Sequence, residues 1–290
     1  MAHAVQVAVG ILFDGIAYSM VLFVMAVGLS VTMGLMGVIN LAHGAFAMAG
    51  GYLAVTLLRD LGVPFLPGLV LAVLGVGVAS IPIERTLYVR IYNRPHLDQV
   101  LLTIGVTLMS IAVATYIYGP SPLSLKLPHF LESQVALFGR DFPAYRVFII
   151  LVGALAFFGL WGGFERTMLG AKIRAAVDNR AMAEAAGVNT TRLFTLTFAL
   201  GSALAALGGA LAIDLVGLTP RFAFQYLVLV LVVVSIGGFG TVTGAFAASL
   251  VIGVIDNAGR YFYPDGSAFF IYLVVIVVLI FRPRGLFGRA

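Results

Sequence analysis

Cysteine is absent from the 290 residues, and lysine occurs twice, at Lys126 and Lys172. Without cysteine there is no disulfide scaffold and no thiolate-ligated metal or haem. Charge of either sign is scarce. Lys and Arg number 17 and Asp and Glu 12, together 10% of the chain, against roughly 25% in soluble domains. So few charges cannot cover a water-soluble core of this size. With 61% of its residues hydrophobic, the chain is not disordered either.

The apolar residues fall in runs of about twenty, the length of a helix that crosses a bilayer. They do not form the roughly ten-residue alternating strands of a membrane barrel. The sequence predicts an all-α, polytopic helical membrane protein with about eight or nine segments, forming one transmembrane domain over residues 1–290. The segments run roughly 9–34, 41–59, 64–82, 98–119, 146–164, 192–213, 223–238, 242–260 and 267–281. The first lacks a basic start, carries Asp14 and is too long for the core of a signal peptide, so it reads as a span.

In a membrane chain the net charge of +5 bears on orientation, not on nucleic acid. Arg85, Arg90 and Arg94 lie in loop 83–97. Arg166, Lys172, Arg174, Arg180 and Arg192 lie in loop 165–192, and Arg282, Arg284 and Arg289 in the tail. Nine spans place all three groups on one side. Basic loops stay cytoplasmic, which leaves the N-terminus outside and the C-terminus inside.

Two breaks between segments do not read as loops. The stretch from Gly34 to Gly44, with Asn40 and His43, carries no charge, and neither does Gly237-Gly238-Phe239-Gly240-Thr241-Val242-Thr243-Gly244. Non-helical backbone at membrane depth survives only where protein or a water-filled cavity satisfies it, and broken helices often line transport pathways. A tight re-entrant hairpin or a close helix crossing fits the glycines equally. Gly44-Ala45-Phe46-Ala47 recurs as Gly244-Ala245-Phe246-Ala247. Gly201, Ala205 and Gly209 form a seam of small residues at four-residue spacing, suited to close helix packing within a subunit or across a dimer.

The loop of about 165–191 holds a short predicted helix. Asp178 or Asn179 can cap it, Arg180 to Ala186 are mostly good helix formers, and Gly187 supplies a left-handed stop. Such a helix either lies on lipid or docks as a knob into a partner's groove. Its small side chains favour docking.

Energy-coupling chemistry is missing. Neither lysine stands in a G-x-x-x-x-G-K-[ST] phosphate loop, so any ATP is bound by another chain. Asp14, Asp214, Asp256, Arg260, Glu84 and Arg85 sit near segment ends, whereas ion-coupled carriers place ionisable groups deep in the bilayer. No metal-ligand spacing and no G-x-S-x-G elbow appears, so no catalytic and no metal-binding residues are assigned.

The neck Gly34 to Gly44, the run Ala186-Gly187-Val188-Asn189, the segment Phe198 to Gly209, the second neck Gly237-Gly238-Phe239-Gly240 and the end Arg282-Pro283-Arg284-Gly285-Leu286-Phe287-Gly288 together resemble permease subunits of branched-chain amino acid ABC importers. The likeness is closest to the first of the two permeases that such systems pair, and it runs from about Asp14 to Arg289. It implies a heterodimer with a second homologous permease, two cytoplasmic ATPase subunits that bind the ATP, a periplasmic substrate-binding protein, and a place in the lipid of the bacterial inner membrane. No cofactor belongs to the permease itself. It further implies a coupling segment of Arg174, Asp178, Arg180, Glu184, Ala185, Ala186 and Gly187, and pathway positions at Asn40, His43, Gly44, Gly237, Gly238 and Gly240. Ala45 departs from the many relatives that carry Glu there. Glu184-Ala185-Ala186 resembles the Glu-Ala-Ala loop of ABC permeases, but Gly187 follows at once, where the wider pattern spaces its glycine three residues later. The cargo implied is branched-chain or other apolar amino acids, or urea, amides, or aromatic or carboxylic acids. The competing readings are a stand-alone ion-coupled carrier or facilitator and, further off, an intramembrane enzyme.

Overall fold

The computed structural model describes residues 2–92, 94–125, 127–137, 140–283 and 285–287. Its elements run α1 (Ala2–Met36), α2 (His43–Val55), α3 (Phe65–Thr86), α4 (His96–Tyr118), α5 (His129–Glu132), β1 (Gln134–Leu137), β2 (Arg140–Pro143), α6 (Ala144–Arg166), α7 (Met168–Asp178), α8 (Arg180–Ala185), α9 (Thr190–Val216), α10 (Phe222–Gly237), α11 (Val242–Phe262) and α12 (Ser267–Phe281). Among the described residues the protein is all-α but for one small hairpin, and each of the nine expected segments is a helix.

Among the described residues, seven helices, α1, α3, α4, α6, α9, α11 and α12, are long and apolar enough to cross a membrane. The other two are shorter. Helix α2 has 13 residues, extended by a π-helical turn over Thr56–Asp60, and α10 has 16.

Two elements were not expected. Strands β1 and β2 pair antiparallel, with Gln134 opposite Pro143. At four residues each they are too short for an alternating pattern to show. The loop after α6 holds two helices rather than one. Thr167 caps α7 by accepting from Gly170 N–H at 3.2 Å, and Asn179, in extended backbone, starts α8 by accepting from Met182 N–H at 3.0 Å. Gly187 ends the unit in left-handed backbone, with φ +82°.

Helix α9 is central, packed on α1, α2 and α3. Its small-residue seam explains how. A Cβ on Gly201 would meet the Gly28 carbonyl of α1 at 2.8 Å, and one on Gly209 would overlap the Ala47 carbonyl of α2. Ala205 between them is fully buried. Lipid tails are as apolar as leucine, so only close van der Waals contact and hydrogen bonds favour helix on helix. The seam thus works within the chain.

Long-range bonds gather the loops at two ends. Leu286 N–H donates to Ile236 O at 2.7 Å, Gly240 N–H to Ser30 O at 3.0 Å, and Thr195 Oγ1–H to Glu84 Oε2 at 2.8 Å. The C-terminal ends of α1 and α10, the loop after α3, helices α7 and α8 and the segment 285–287 therefore share one end. That end carries the basic loops 83–97 and 165–192; Arg284 and Arg289 of the expected basic tail lie outside the described residues. The hairpin and the start of α6 lie at the opposite end, where Arg140 reaches Gln6 O at 2.6 Å.

The packing yields a paired expectation. Gly209→Ala overpacks α9 against backbone and lowers stability by about 1–3 kcal/mol. Gly105 faces open space, so Gly105→Ala is neutral or gains up to about 1 kcal/mol. Thermal unfolding of both variants in one detergent checks the difference.

Candidate functional site

The first neck is a broken crossing. Residues 37–42 are non-helical, and Gly37 leaves α1 with φ +63°. Its far end lies deep in the bundle. His43 Nε2 bonds Met25 O at 2.8 Å, and Thr107 Oγ1–H donates to Leu41 O at 3.1 Å. Met25 and Thr107 each stand eleven residues from the basic end of their helix, a depth of about 16 Å at 1.5 Å per residue. Helix α2 thus begins near mid-depth and runs to the opposite end, where Thr56 Oγ1 and Tyr118 Oη lie 2.7 Å apart.

Side chains from distant segments satisfy the exposed backbone of the neck. Gln99 Oε1 accepts from Ile39 N–H at 3.2 Å, while its amide donates to Ile91 O and Arg94 O. Asn40 Oδ1 accepts from Ala42 N–H at 3.0 Å and from the Tyr88 hydroxyl at 2.8 Å. Asn40, His43, Tyr88 and Gln99 are all buried. A carbonyl only accepts, so the Nε2 of His43 carries the proton. Gly44 packs against Ala223, where a Cβ would overlap the backbone oxygen. Asn40, His43 and Gly44 thus form one site.

Gly237, Gly238 and Gly240 stand elsewhere. The second neck is a tight turn between α10 and α11 at the basic end. Gly237 and Gly244 face each other without room for a Cβ, and Gly238 and Gly240 have φ +94° and +74°. Gly240 also presses on Gly34, so this turn lies under the start of the first neck. Its backbone geometry is that of a close helix crossing.

Helices α7 and α8, expected to be the coupling segment, form their own small core. Ile173, Ala176 and Ala183 pack with Leu193 and Phe194 of α9, and Met36 and Tyr92 close on them. Arg180 pairs with Glu184 at 3.0 Å and lies over the Phe194 ring at 4.9 Å. Arg174 donates to Phe164 O, tying α7 back to α6. Hydrogen bonds from Thr190 and Arg180 hold the Glu184 carboxyl below its usual range. That support for the loop is present above the ordinary carboxylate pKa and lost as pH falls through the lowered one. Ala185, Ala186 and Gly187 are exposed. Asp178 ends α7; its side chain lies outside the described residues. Met168, Leu169 and Met182 face outward as large exposed apolar side chains.

Tyr88, Gln99, Thr107 and Thr195 were not singled out by the sequence, and Glu84 was noted only as a charge near a segment end. The signal for some of them was there: Gln99, Thr103 and Thr107 recur every four residues along an otherwise apolar segment, the mark of one polar stripe on a helix.

Comparison with known proteins decides the family. Residues 11–279 match the family described as branched-chain amino acid transport system, permease component. The chain belongs to this family. It is the membrane-spanning permease subunit of an ABC importer, a multi-pass membrane protein. Among its curated relatives, the high-affinity branched-chain amino acid transport system permease protein BraD of Pseudomonas aeruginosa is 28% identical, over 99% of this chain and 96% of its own. The corresponding LivH of Escherichia coli K12 is 26% identical over 96% and 94%. A probable LivH from Methanocaldococcus jannaschii is 26% identical over 96% and 92%. The solved PsaBC of Streptococcus pneumoniae, in complex with Fab, shares the fold with a TM-score of 0.53 at 13% identity, covering 92% of this chain and 89% of that one.

The permease's neck gives a double-mutant cycle. Asn40→Leu strands two buried donors and costs about 2–6 kcal/mol at 1–3 per donor. Tyr88→Phe alone costs about 1 kcal/mol. The double variant falls short of their sum, since Tyr88 no longer has a hydroxyl to strand. Thermal unfolding of the four proteins measures the coupling.

Proposed function

We propose that this permease carries branched-chain or similar apolar amino acids inward as half of a heterodimer, taking the place of the first of two paired permeases. A substrate-binding protein delivers cargo at the end that holds the hairpin. Two ATPase subunits, which bind all the ATP, dock at the basic end. That end faces the cytoplasm of a bacterial cell, across its inner membrane, by the bias of basic loops.

The observation that carries this reading is the short mechanical route from α8 to the first neck. The seat of α8 includes Phe194, whose ring lies 5.8 Å from Tyr92. Tyr92 hydrogen-bonds Glu84 and belongs to the same loop as Tyr88, which holds Asn40. A push on the outer face of α7 and α8, where Met168, Leu169 and Met182 stand exposed, thus reaches the broken span through contacts already made. The neck then serves as the moving part beside the pathway, with Asn40, His43 and Gly44 as its fixed points and the Gly237–Gly240 turn as its support. Named relatives that transport branched-chain amino acids support the cargo class.

Mild-detergent purification of the tagged permease is expected to bring down two ATPase copies and a second permease. A lone chain that transports in liposomes without ATP would overturn the proposal in favour of a stand-alone carrier. Ala181 and Ala185 are both exposed on α8. Ala181→Glu and Ala185→Glu are therefore expected to reduce substrate-stimulated ATP hydrolysis at least about 10-fold, the effect of a 1.4 kcal/mol loss in docking, with the melting temperature of the permease unchanged. ATPase assays on the reconstituted complex read this out.

A further inference from the structure

At the end away from the basic loops, a half-open pocket lies among α1, α6, α9 and α11. Two opposite-charge pairs line it. Arg146 of α6 pairs with Asp14 of α1, and Arg260 pairs with Asp256 one turn earlier on α11 at 2.8 Å. Asn257 beside them is anchored to Ile11 O at 2.8 Å, and Leu215 and Val216 supply an apolar wall. Asp256 is buried, while the head of Arg260 is half exposed, so one face of the pocket is open.

Tyr18 also lines this pocket and is more than nine-tenths buried. Its hydroxyl has no partner in hydrogen-bond geometry, although Tyr226 stands near it. The Arg260 guanidinium lies 5.6 Å from its ring centroid. A buried hydroxyl without a partner costs about 1–3 kcal/mol and is a place where a ligand can supply what the protein lacks.

We propose that this pocket binds the backbone of a neutral α-amino acid as its zwitterion. The charge balance points to that class. Two carboxylates and two guanidiniums line this space in equal number, with Asp214 near Arg146 but outside the lining, whereas an anion site would carry excess arginine in its lining and a cation site excess carboxylate. Among the described bonds, Asp14 and Asp256 each give one oxygen to an arginine, leaving the second of each for an ammonium group. Each guanidinium has five N–H donors and spends one or two of them here, so donors remain for a carboxylate. The Tyr18 hydroxyl completes the contacts, and the side chain of the ligand lies toward Leu215 and Val216. The permease then holds cargo at its outer mouth between release by the binding protein and entry to the pathway. This inference rests on the importer reading above, and it assigns the pocket a ligand rather than a purely structural pair of ion bridges.

The test uses the complete importer in detergent without its binding protein. Equilibrium dialysis measures labelled leucine, competed by 3-methylbutylamine, which lacks the carboxylate, and 4-methylpentanoate, which lacks the ammonium group. Saturable leucine binding is expected, with each half-molecule weaker by about 10-fold or more, because it leaves one charge pair unmatched. Asp256→Asn and Arg260→Gln are expected to abolish binding. Tyr18→Phe is expected to weaken it several-fold without lowering the melting temperature, since the lost hydroxyl had no partner. Any of three results overturns the proposal: no saturable leucine binding up to millimolar concentration, a half-molecule that competes as well as leucine, or Tyr18→Phe that lowers the melting temperature and leaves affinity unchanged. ATP-driven leucine uptake in proteoliposomes with the binding protein, run on the same wild-type preparation, separates the two claims. Uptake without pocket binding sinks the pocket alone. Absence of uptake for leucine, valine, alanine and phenylalanine sinks the amino-acid importer reading itself.

Discussion

Backbone N–H and C=O groups at bilayer depth must find partners inside the protein, and the stretch 37–42 is where this chain has most of them to place. A continuous helix would satisfy them without help. By breaking the helix after Met36 and restarting it at His43, the chain commits groups from three other segments to the repair. Gln99 and Thr107 come from α4, Tyr88 from the loop after α3, and the Met25 carbonyl from α1. These partners fix the relative positions of α1, α2, α3 and α4 more firmly than lipid-facing apolar contact can. The small-residue faces of α9 then follow, because a neck held at this depth needs α1 and α2 close on either side of it.

The nine segments, the two uncharged necks and the helix closed by Gly187 were legible because each rests on local composition: apolar run length, glycine, a capping Asn179. Burial of Asn40 and His43 was not. Their partners lie up to 48 residues away in sequence, and no local pattern announces that Tyr88 rather than a neighbour points at Asn40. Helix α7 was missed for another reason. Its residues alternate charge with small side chains on a short amphipathic face, which a reading tuned to twenty-residue apolar runs passes over. The two necks look alike as strings of glycine, yet one spans half the bundle and the other is a close turn. What separates them is the spacing of Gly237 and Gly244, which lets α10 and α11 meet backbone to backbone.

Scarcity of charge gives each remaining charge weight. At the basic end, Glu84 is fully buried at the foot of α3 and takes hydrogen bonds from Tyr92 and Thr195. No cation appears among its described partners. Burying a carboxyl on hydroxyl donors alone is costly, and the contact joins three segments: α3, the loop after it, and the start of α9. At the other end Asp14 and Asp256 are each paired with an arginine, and the Arg260 side chain is half exposed.

This contrast separates two tasks. On the proposed docking of a partner at the basic end, mechanical force must cross a boundary that does not yield, and a carboxyl that would be left stranded if its hydroxyls moved away is a stiff connector. Tyr92 binds that carboxyl and also touches the seat of α8, and Tyr88, four residues earlier, holds the neck. The three groups must therefore move as one body or break several buried bonds together, each break costing about 1–3 kcal/mol. A ligand site has the opposite need. Its polar groups must exchange internal partners for the ligand's at little cost, which requires surplus donors and acceptors and access to water. The half-exposed Arg260 meets that requirement at the end away from the basic loops, and the buried Glu84 does not. The same few polar residues, sorted by exposure and by whether their partners are complete, thus differ between the two ends in the way the two proposed tasks require.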